Sequence, residues 1–440
     1  MLRPDDDRLA LVEGATGRRW THAELAAEAA GVAARLAAPA KALAVVRCRI
    51  DVQTVVNYLG ALAAGHAVAL IDDAAPGFEA LVERYRPAFV LTPEGEVDHG
   101  APGTSPAPEL RVLLSTSGTT GSPKLVRLSE ENVRSNAVSI ARYLGLGDTE
   151  RAIASLPFHY SYGLSVLNSH LVSGGAVVLP PESLMRPSFW ETFEAEGCTS
   201  FAGVPYSYAL LERTGWDRRE LASLRTMTQA GGRMDPGAVR GVASELRSRG
   251  ARLFVMYGQT EATARIAYVP PERLAEKPGS IGLPIPGGAL GVESGELVYR
   301  GPNVMLGYAE SDADLARGDD LGGVLRTGDL GHRDEDGFFF VTGRAKRFAK
   351  VNGLRVNLEE IESVLRADGP AAVVGHDEQA LVVFLQAGSH APAVDVRRAL
   401  AARYRLHPRT FEMREVAALP VTTSGKIDYA ALAAEAAHAA

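Results

Sequence analysis

Short runs of aliphatic and β-branched residues, ALAVVRC from Ala42, AVVLP from Ala176 and LFVMYG from Leu253, alternate along the chain with Ala-rich stretches in helical spacing such as ELAAEAAGVAARLAA from Glu24. That alternation predicts sheets covered by helices on both faces, the doubly wound α/β plan. The most apolar window, VVNYLGALAAGHAVALI from Val55, is interrupted by Asn57, Gly60, Gly65 and His66. It predicts a buried helix running into a strand, not a membrane span.

Beyond Gly287 the texture changes. GELVYRGPNVMLGY from Gly295 and GVLRTGDLGHRDEDGFFFVTGR from Gly323 set Gly and Asp turn signals between short apolar runs, which predicts a β-rich region. A new mixed unit then begins. VNLEEIESVL from Val356 has the spacing of an amphipathic helix, AAVVGHD from Ala371 and ALVVFLQAG from Ala380 read as strands, and VRRALAARYRL from Val396 is helical again. A boundary near residues 344–346 leaves a small α+β C-terminal domain of roughly a hundred residues, a size that folds alone.

Composition narrows the function classes. With 440 residues, 46% of them apolar and 22% charged, the chain can build two or three ordinary globular cores. A net charge of −7 gives no reason to expect nucleic acid as a partner. The N-terminus MLRPDDDRLALVEG is acidic where a signal peptide is basic, and the only two cysteines, Cys48 and Cys198, are far apart. Both features point to a reducing, cytoplasmic setting.

The stretch STSGTTGSPK, residues 115–124, is the first candidate for chemistry. It is not a Walker loop, which reads GxxxxGK[ST] and enters a helix directly. Gly118 and Gly121 nevertheless permit tight turns that present backbone amides, and Thr116, Ser117, Thr119, Thr120 and Ser122 can donate to phosphate oxygens. Lys124 adds a point charge. A solvated Ser/Thr/Gly linker is the alternative, and three further stretches decide against it. YGQTEATARIAY from Tyr257 carries an aromatic ring, a Gly, a Thr and a carboxylate after a strand-like run. RTGDLGHRDEDGFFFVTGRAKRFAKVNGLRVNLEEIE from Arg326 places Asp329 in a turn fifteen residues before Arg344. PVTTSGKIDY from Pro420 presents Lys426 on a Gly-containing turn.

In this order, these stretches resemble the acyl-adenylate-forming superfamily: acyl- and aryl-CoA ligases, adenylation domains of peptide synthetases, and luciferases. The resemblance covers the chain from about Gly60 to about Tyr429 and implies roles position by position. Residues 1–343 would form a large N-terminal domain binding ATP and acid, 344–347 a hinge, and 348–440 a small mobile domain carrying the catalytic lysine. Thr116, Ser117, Gly118, Thr119, Thr120, Gly121 and Lys124 would close over the β- and γ-phosphates of ATP. Tyr257 would lie against the adenine, near Gln229, Gly231 and Gly232, with Gln259 beside it in the same stretch. Thr260 would sit at the α-phosphate, and Glu261 resembles the family's magnesium carboxylate. Asp329 would take the ribose hydroxyls with Arg344 assisting. Lys426 would reach the substrate carboxylate and the α-phosphate. Lys346 occupies the hinge position, and Lys350 and Gly353 resemble the segment that lines a thiol channel.

The chemistry explains those residue types. A carboxylate resists acyl transfer because its leaving group is oxide, and attack on the α-phosphate of ATP replaces oxide with AMP. Two anions must approach, so magnesium at Glu261 and the ammonium of Lys426 would neutralise charge where it builds. Acyl transfer to a thiol, either CoA or the pantetheine arm of a carrier protein, would follow once the small domain had turned. Two other classes stay open: adenylation of a small acid or an oxyanion such as nitrite with transfer to an amine, and a non-catalytic nucleotide-binding homologue. For the acid pocket the candidates are His159 and Tyr160 in LPFHYSYGL, Tyr206, and Arg233 after the glycines of AGGRMDP. Arg233 stands where acyl-CoA ligases often have a small residue, so a guanidinium there could read a second polar group on the substrate. No Asp for an α-amino group is identifiable, and amino-acid activation is less favoured. The chain is shorter than the family's usual length, which implies a differently walled pocket.

Overall fold

The computed structural model describes residues 4–75, 77–115, 124–344, 348–351, 354–375, 380–404, 406–422 and 426–437. They fall into two compact units. One takes in the described residues of Met1–Thr116, Ser122–Leu290 and Tyr299–Leu325, the other those of Gly291–Val298 and Arg326–Ala440.

Among the described residues the first unit carries two large sheets. In the nine-stranded one, Leu9–Glu13, Ala176–Leu179, Arg151–Ile153, Ser200–Gly203, Thr226–Gln229 and Arg252–Tyr257 lie side by side in parallel. Antiparallel Arg18–Thr21 closes one edge, and Ala267–Val269 with Leu283–Pro284 closes the other. The seven-stranded sheet has the parallel centre Phe89–Leu91, Leu43–Cys48, Ala67–Asp72 and Leu110–Ser115. Parallel neighbours need crossovers, and helices supply them. The window from Val55 resolves as expected into helix Val52–Ala63 and strand Ala67–Asp72, and Asp51 caps the helix by accepting from the Thr54 amide at 2.7 Å. Helix His22–Arg35 starts two residues before the predicted stretch because Thr21 and Glu24 form a capping box. One apolar core joins Leu11 and Val177 of the first sheet to Val46 and Val112 of the second through Val32, Val55 and Leu167 of the helices between them. Both sheets are therefore buried on that side, as the apolar runs require.

In the second unit residues 329–333 of one strand pair antiparallel with Phe339–Arg344. The expectation of a turn at Asp329 is corrected here: the residue sits within the strand, because the ladder partner takes up the backbone that TGDLG would otherwise fold locally. A three-stranded sheet follows, Ala371–Gly375 antiparallel to Leu381–Gln386 and Phe411–Val416 parallel to it. Helices Leu358–Leu365 and Ala393–Tyr404 pack Ile361 and Leu400 against Val373 and Val383. Helix Tyr429–Ala437 covers the other face with Leu432 against Ala372 and Phe384. The helix expected from Val356 begins at Leu358, since Val356 and Asn357 complete strand Leu354–Asn357, which pairs with Phe348–Val351.

Candidate active site

Strands Leu110–Ser115 and Leu125–Ser129 are antiparallel neighbours, with Ser115 opposite Leu125 at the base of the hydroxyl-rich loop. Thr116, Ser117, Gly118, Thr119, Thr120, Gly121 and Ser122 lie outside the described residues. Lys124 lies inside them. Its Nζ stands 3.7 Å from the centre of the Tyr308 ring, a cation–π contact. The Tyr308 hydroxyl donates to Glu261 Oε1 at 2.7 Å. A cation, an aromatic ring and a carboxylate from three distant parts of the chain thus form one cluster. Burial, and next the carboxylate beside it, push the Tyr308 phenol well above its ordinary pKa, so it stays a donor. Strand Gly307–Ala309 carries Tyr308 along Leu125–Ser129. Arg127, fully buried, fixes the pairing by donating to the Tyr308 carbonyl at 3.2 Å and to Asp320 Oδ2 at 2.5 Å.

Glu261 is delivered by a strained turn. Strand Arg252–Tyr257 ends at Tyr257, and Thr260–Ala262 form a single 3₁₀ turn. A Cβ at Gly258 would stand 1.9 Å from the Ala264 carbonyl oxygen, so only glycine fits. Thr263 has φ of 65°, rare for a β-branched residue and the kind of strain that surrounding structure must hold. Asn303 does the holding. Its amide donates to the carbonyls of Ala262 and Arg265, each at 2.9 Å, and its own carbonyl accepts from Thr263 Oγ1 at 2.8 Å. Tyr308 and Asn303 both belong to GPNVMLGY, which sequence reasoning took only as β-structure. An Asn and a Tyr at the ends of an apolar run were the available signal. Gln259 Nε2 is buried with no hydrogen-bond partner among the described residues. Among the described residues no three His, Cys, Asp or Glu cluster as a metal cage. A single carboxylate beside a lysine–tyrosine pair is compatible with magnesium, which takes one or two carboxylates and completes its shell with other oxygens and water.

The acid side adjoins this turn. Tyr160 precedes helix Ser161–Ser173, and Ser161 Oγ shares a hydrogen bond with Thr260 Oγ1 at 3.2 Å. Gly231 has φ of +84°, and a Cβ there would lie 2.5 Å from the Tyr160 hydroxyl. Gln229 Nε2 donates to the Gly232 carbonyl at 2.8 Å and fixes the glycine pair. Burial raises the Tyr160 phenol to about 12. His159 Nε2 stands 3.8 Å from Asp72 Oδ2; burial lowers its pKa despite the carboxylate, so the ring is a neutral imidazole near pH 7. Tyr206, 47% exposed, and Arg233, also exposed, are not gathered into this buried group.

In the second unit Asp329 and Arg344 are opposite each other on paired strands. Asp329 is 4% exposed and accepts from Arg344 Nε at 3.0 Å, while its amide donates to Thr327 Oγ1 at 3.1 Å. At Lys426 the Thr422 amide donates to the lysine carbonyl at 2.7 Å, and Val421 bridges to Ile427. Lys350 stands opposite Arg355 in the strand pair, whereas Lys346 and Gly353 lie outside the described residues.

A profile of the family described as AMP-binding enzyme matches residues 3–309. Over 353 residues the chain is 32% identical to sulfoacetate–CoA ligase of Cupriavidus necator, covering 75% of this chain and 68% of that protein. Over 376 residues it is 31% identical to indoleacetate–CoA ligase of Aromatoleum aromaticum, covering 80% of this chain and 70% of the relative. The solved structure of o-succinylbenzoate CoA synthetase from Bacillus subtilis, in complex with its acyl-adenylate intermediate, is similar at a TM-score of 0.77 and 25% identity, over 96% of this chain and 94% of that one.

Proposed function

This chain belongs to the AMP-binding enzyme family, and we propose that it is an ATP-dependent, AMP-forming acid–thiol ligase. A carboxylate oxygen attacks the α-phosphorus of ATP, the bond to the β-phosphate breaks, and pyrophosphate leaves. A thiolate then attacks the carbonyl of the acyl-AMP, and AMP leaves with the bonding pair. Two relatives named for joining an acid to CoA, and a similar structure holding an acyl-adenylate, support both half-reactions. They also favour a thiol over an amine acceptor. CoA is the acceptor of first choice, and the pantetheine arm of a carrier protein would offer the same thiol.

The observation that carries this reading is the Lys124–Tyr308–Glu261 cluster. Its cation suits a triphosphate, and its carboxylate would hold magnesium. When bound, that ion supplies positive charge to the phosphate oxygens. Tyr308 touches both charged side chains, its ring meeting Lys124 and its hydroxyl donating to one oxygen of Glu261, which leaves the other to a ligand. Thr260, tied to Ser161, faces the α-phosphate in this reading, and Tyr257, Gln259, Gly231 and Gly232 surround the base. We assign His159 and Tyr160 to the acid pocket. Lys346, Lys350 and Gly353 are the proposed hinge and thiol-channel positions. A reducing, cytoplasmic setting suits two cysteines that are both buried and free, and no described helix is long and apolar enough to cross a membrane.

Pyrophosphate release measured across a panel of acids, with product masses taken with and without CoA, tests the reading. Acid-dependent pyrophosphate and a CoA thioester are expected. Release without a thioester would point to another acceptor, and no release from any acid would overturn the reading.

Asp329 gives a narrower prediction. A buried carboxylate that accepts from both ribose hydroxyls loses one partner when the nucleotide lacks the 2′-hydroxyl, at a cost of roughly 1–3 kcal/mol. 2′-Deoxy-ATP should therefore be about tenfold poorer in kcat/KM, and Asp329→Ala should erase most of that difference. Equal use of both nucleotides by the wild-type enzyme would remove Asp329 from the ribose.

A further inference from the structure

Arg265 is 3% exposed, yet no carboxylate pairs with it among the described residues. One terminal nitrogen donates to the neighbouring Ala264 carbonyl at 3.3 Å, the guanidinium also hydrogen-bonds the Tyr143 side chain, and Nε has no hydrogen-bond partner among the described residues. The guanidinium lies over the Tyr162 ring at 3.9 Å. Burial holds the phenols of Tyr143 and Tyr162 above their ordinary pKa, so neither supplies a negative charge. His170, lining the same small cavity, keeps a lowered pKa through burial; its Nδ1 faces the Val166 carbonyl at 2.8 Å. A buried cation with an open Nε donor and no counter-ion among the described residues costs several kcal/mol unless something compensates it.

The cavity indicates what compensates it. Arg265 lines it with Tyr162, Thr228 and Ser200, between helix Ser161–Ser173 and the parallel strands Ser200–Gly203 and Thr226–Gln229. Tyr162 and Thr228 share a hydrogen bond at 2.7 Å across it. The edge of the Tyr162 ring meets Tyr160, with ring centres 6.2 Å apart, and Tyr160 in turn abuts Gly231. The cavity therefore adjoins the residues assigned to the acid pocket, and Arg265 is among the residues that line it.

We propose that Arg265 is a specificity-determining residue that reads a second anionic group, carboxylate or sulfonate, at the end of the substrate acid remote from the carboxylate that is activated. This deepens the ligase reading and rests on it. A guanidinium fork takes a planar carboxylate or a sulfonate through paired N–H donors, which an ammonium or a hydroxyl does not match. Tyr162, tied to Thr228 and edge-on to Tyr160, stands between the cavity and the pocket, so the proposal requires its ring to turn aside.

The test compares matched acids of one chain length whose remote end is carboxylate, sulfonate, carboxamide or methyl, reading pyrophosphate release for the wild type, Arg265→Met and Arg265→Lys. The wild type should prefer the doubly anionic acids over the methyl-ended ones by roughly tenfold to a hundredfold in kcat/KM, the loss expected when a site built for a polar partner goes unpaired. Arg265→Met should reverse that order while still turning over the methyl-ended acid, which shows that it is folded. Should Arg265→Met fail to fold, Arg265→Lys decides: KM should rise for the doubly anionic acids and stay constant for the neutral ones. Whichever of the carboxylate and sulfonate arms is faster identifies the anion. A wild-type preference for neutral ends, or a preference that neither variant shifts, would overturn the inference and leave the ligase standing. Absence of pyrophosphate from every acid would remove the ligase reading and this inference with it.

Discussion

Replacing Lys426 by Ala should lower adenylate formation by about a thousandfold or more, while transfer from a chemically prepared acyl-AMP to CoA stays within a few-fold of wild type. The first half-reaction brings a carboxylate against a triphosphate, and an ammonium at the reacting oxygens removes the repulsion where it peaks. Loss of one such preorganised charge costs on the order of 10³ in rate. The second half-reaction joins a thiolate to a carbonyl whose leaving group is already AMP, so that ammonium is not needed there. The backbone at Lys426 is held by the Thr422 amide and by the neighbouring Val421–Ile427 bridge. Truncating the side chain should therefore leave the local fold in place. Rapid-quench measurement of acyl-AMP, beside thioester formation from supplied acyl-AMP, separates the two rates. An equal loss in both would take Lys426 out of the first step.

Glu261→Gln should lower acid-dependent exchange of labelled pyrophosphate into ATP by roughly a hundredfold or more. The substitution is sparing of structure. Glutamine still offers an oxygen to the Tyr308 hydroxyl that now donates to Glu261 Oε1 at 2.7 Å, and the Met305 amide bonds to the backbone carbonyl of residue 261, not to its side chain. What disappears is the negative charge that would hold magnesium. Raising magnesium should recover part of the loss in the variant and little in the wild type, since weaker binding is offset by concentration. Exchange that is unaltered by the substitution would place the ion elsewhere.

Much of this was legible in the chain because it is local. Apolar runs such as Leu43–Cys48 fit only a strand covered on both faces, and the Val55 window carries its own break at Gly65 and His66. Glu261 and Lys124 can be nominated from the chain because each sits in a run whose residue types have one shared chemistry, and the structure brings both to Tyr308. Tyr308 and Asn303 were not, because their roles exist only after chain positions dozens of residues apart come together; a Tyr ending an apolar run has no distinctive local pattern. Asp329 was read as a turn residue because glycines flank it, and the partner strand overrode that local preference. The two arginines show the same limit. Arg233 stands out through its position after paired glycines, but it is exposed; Arg265, three-quarters of the way through YGQTEATARIAY, is the buried one without a counter-ion among the described residues.

The central claim is that the acid's own carboxylate attacks the α-phosphorus, and the fate of oxygen tests it most directly. The enzyme would be run with an acid carrying ¹⁸O in both carboxylate oxygens, with ATP, magnesium and CoA, and the AMP and pyrophosphate weighed by mass spectrometry. Attack at the α-phosphorus followed by thiolysis predicts one ¹⁸O in each AMP, one in the thioester carbonyl and none in pyrophosphate. Unlabelled AMP, or label appearing in inorganic phosphate or pyrophosphate, would contradict the account.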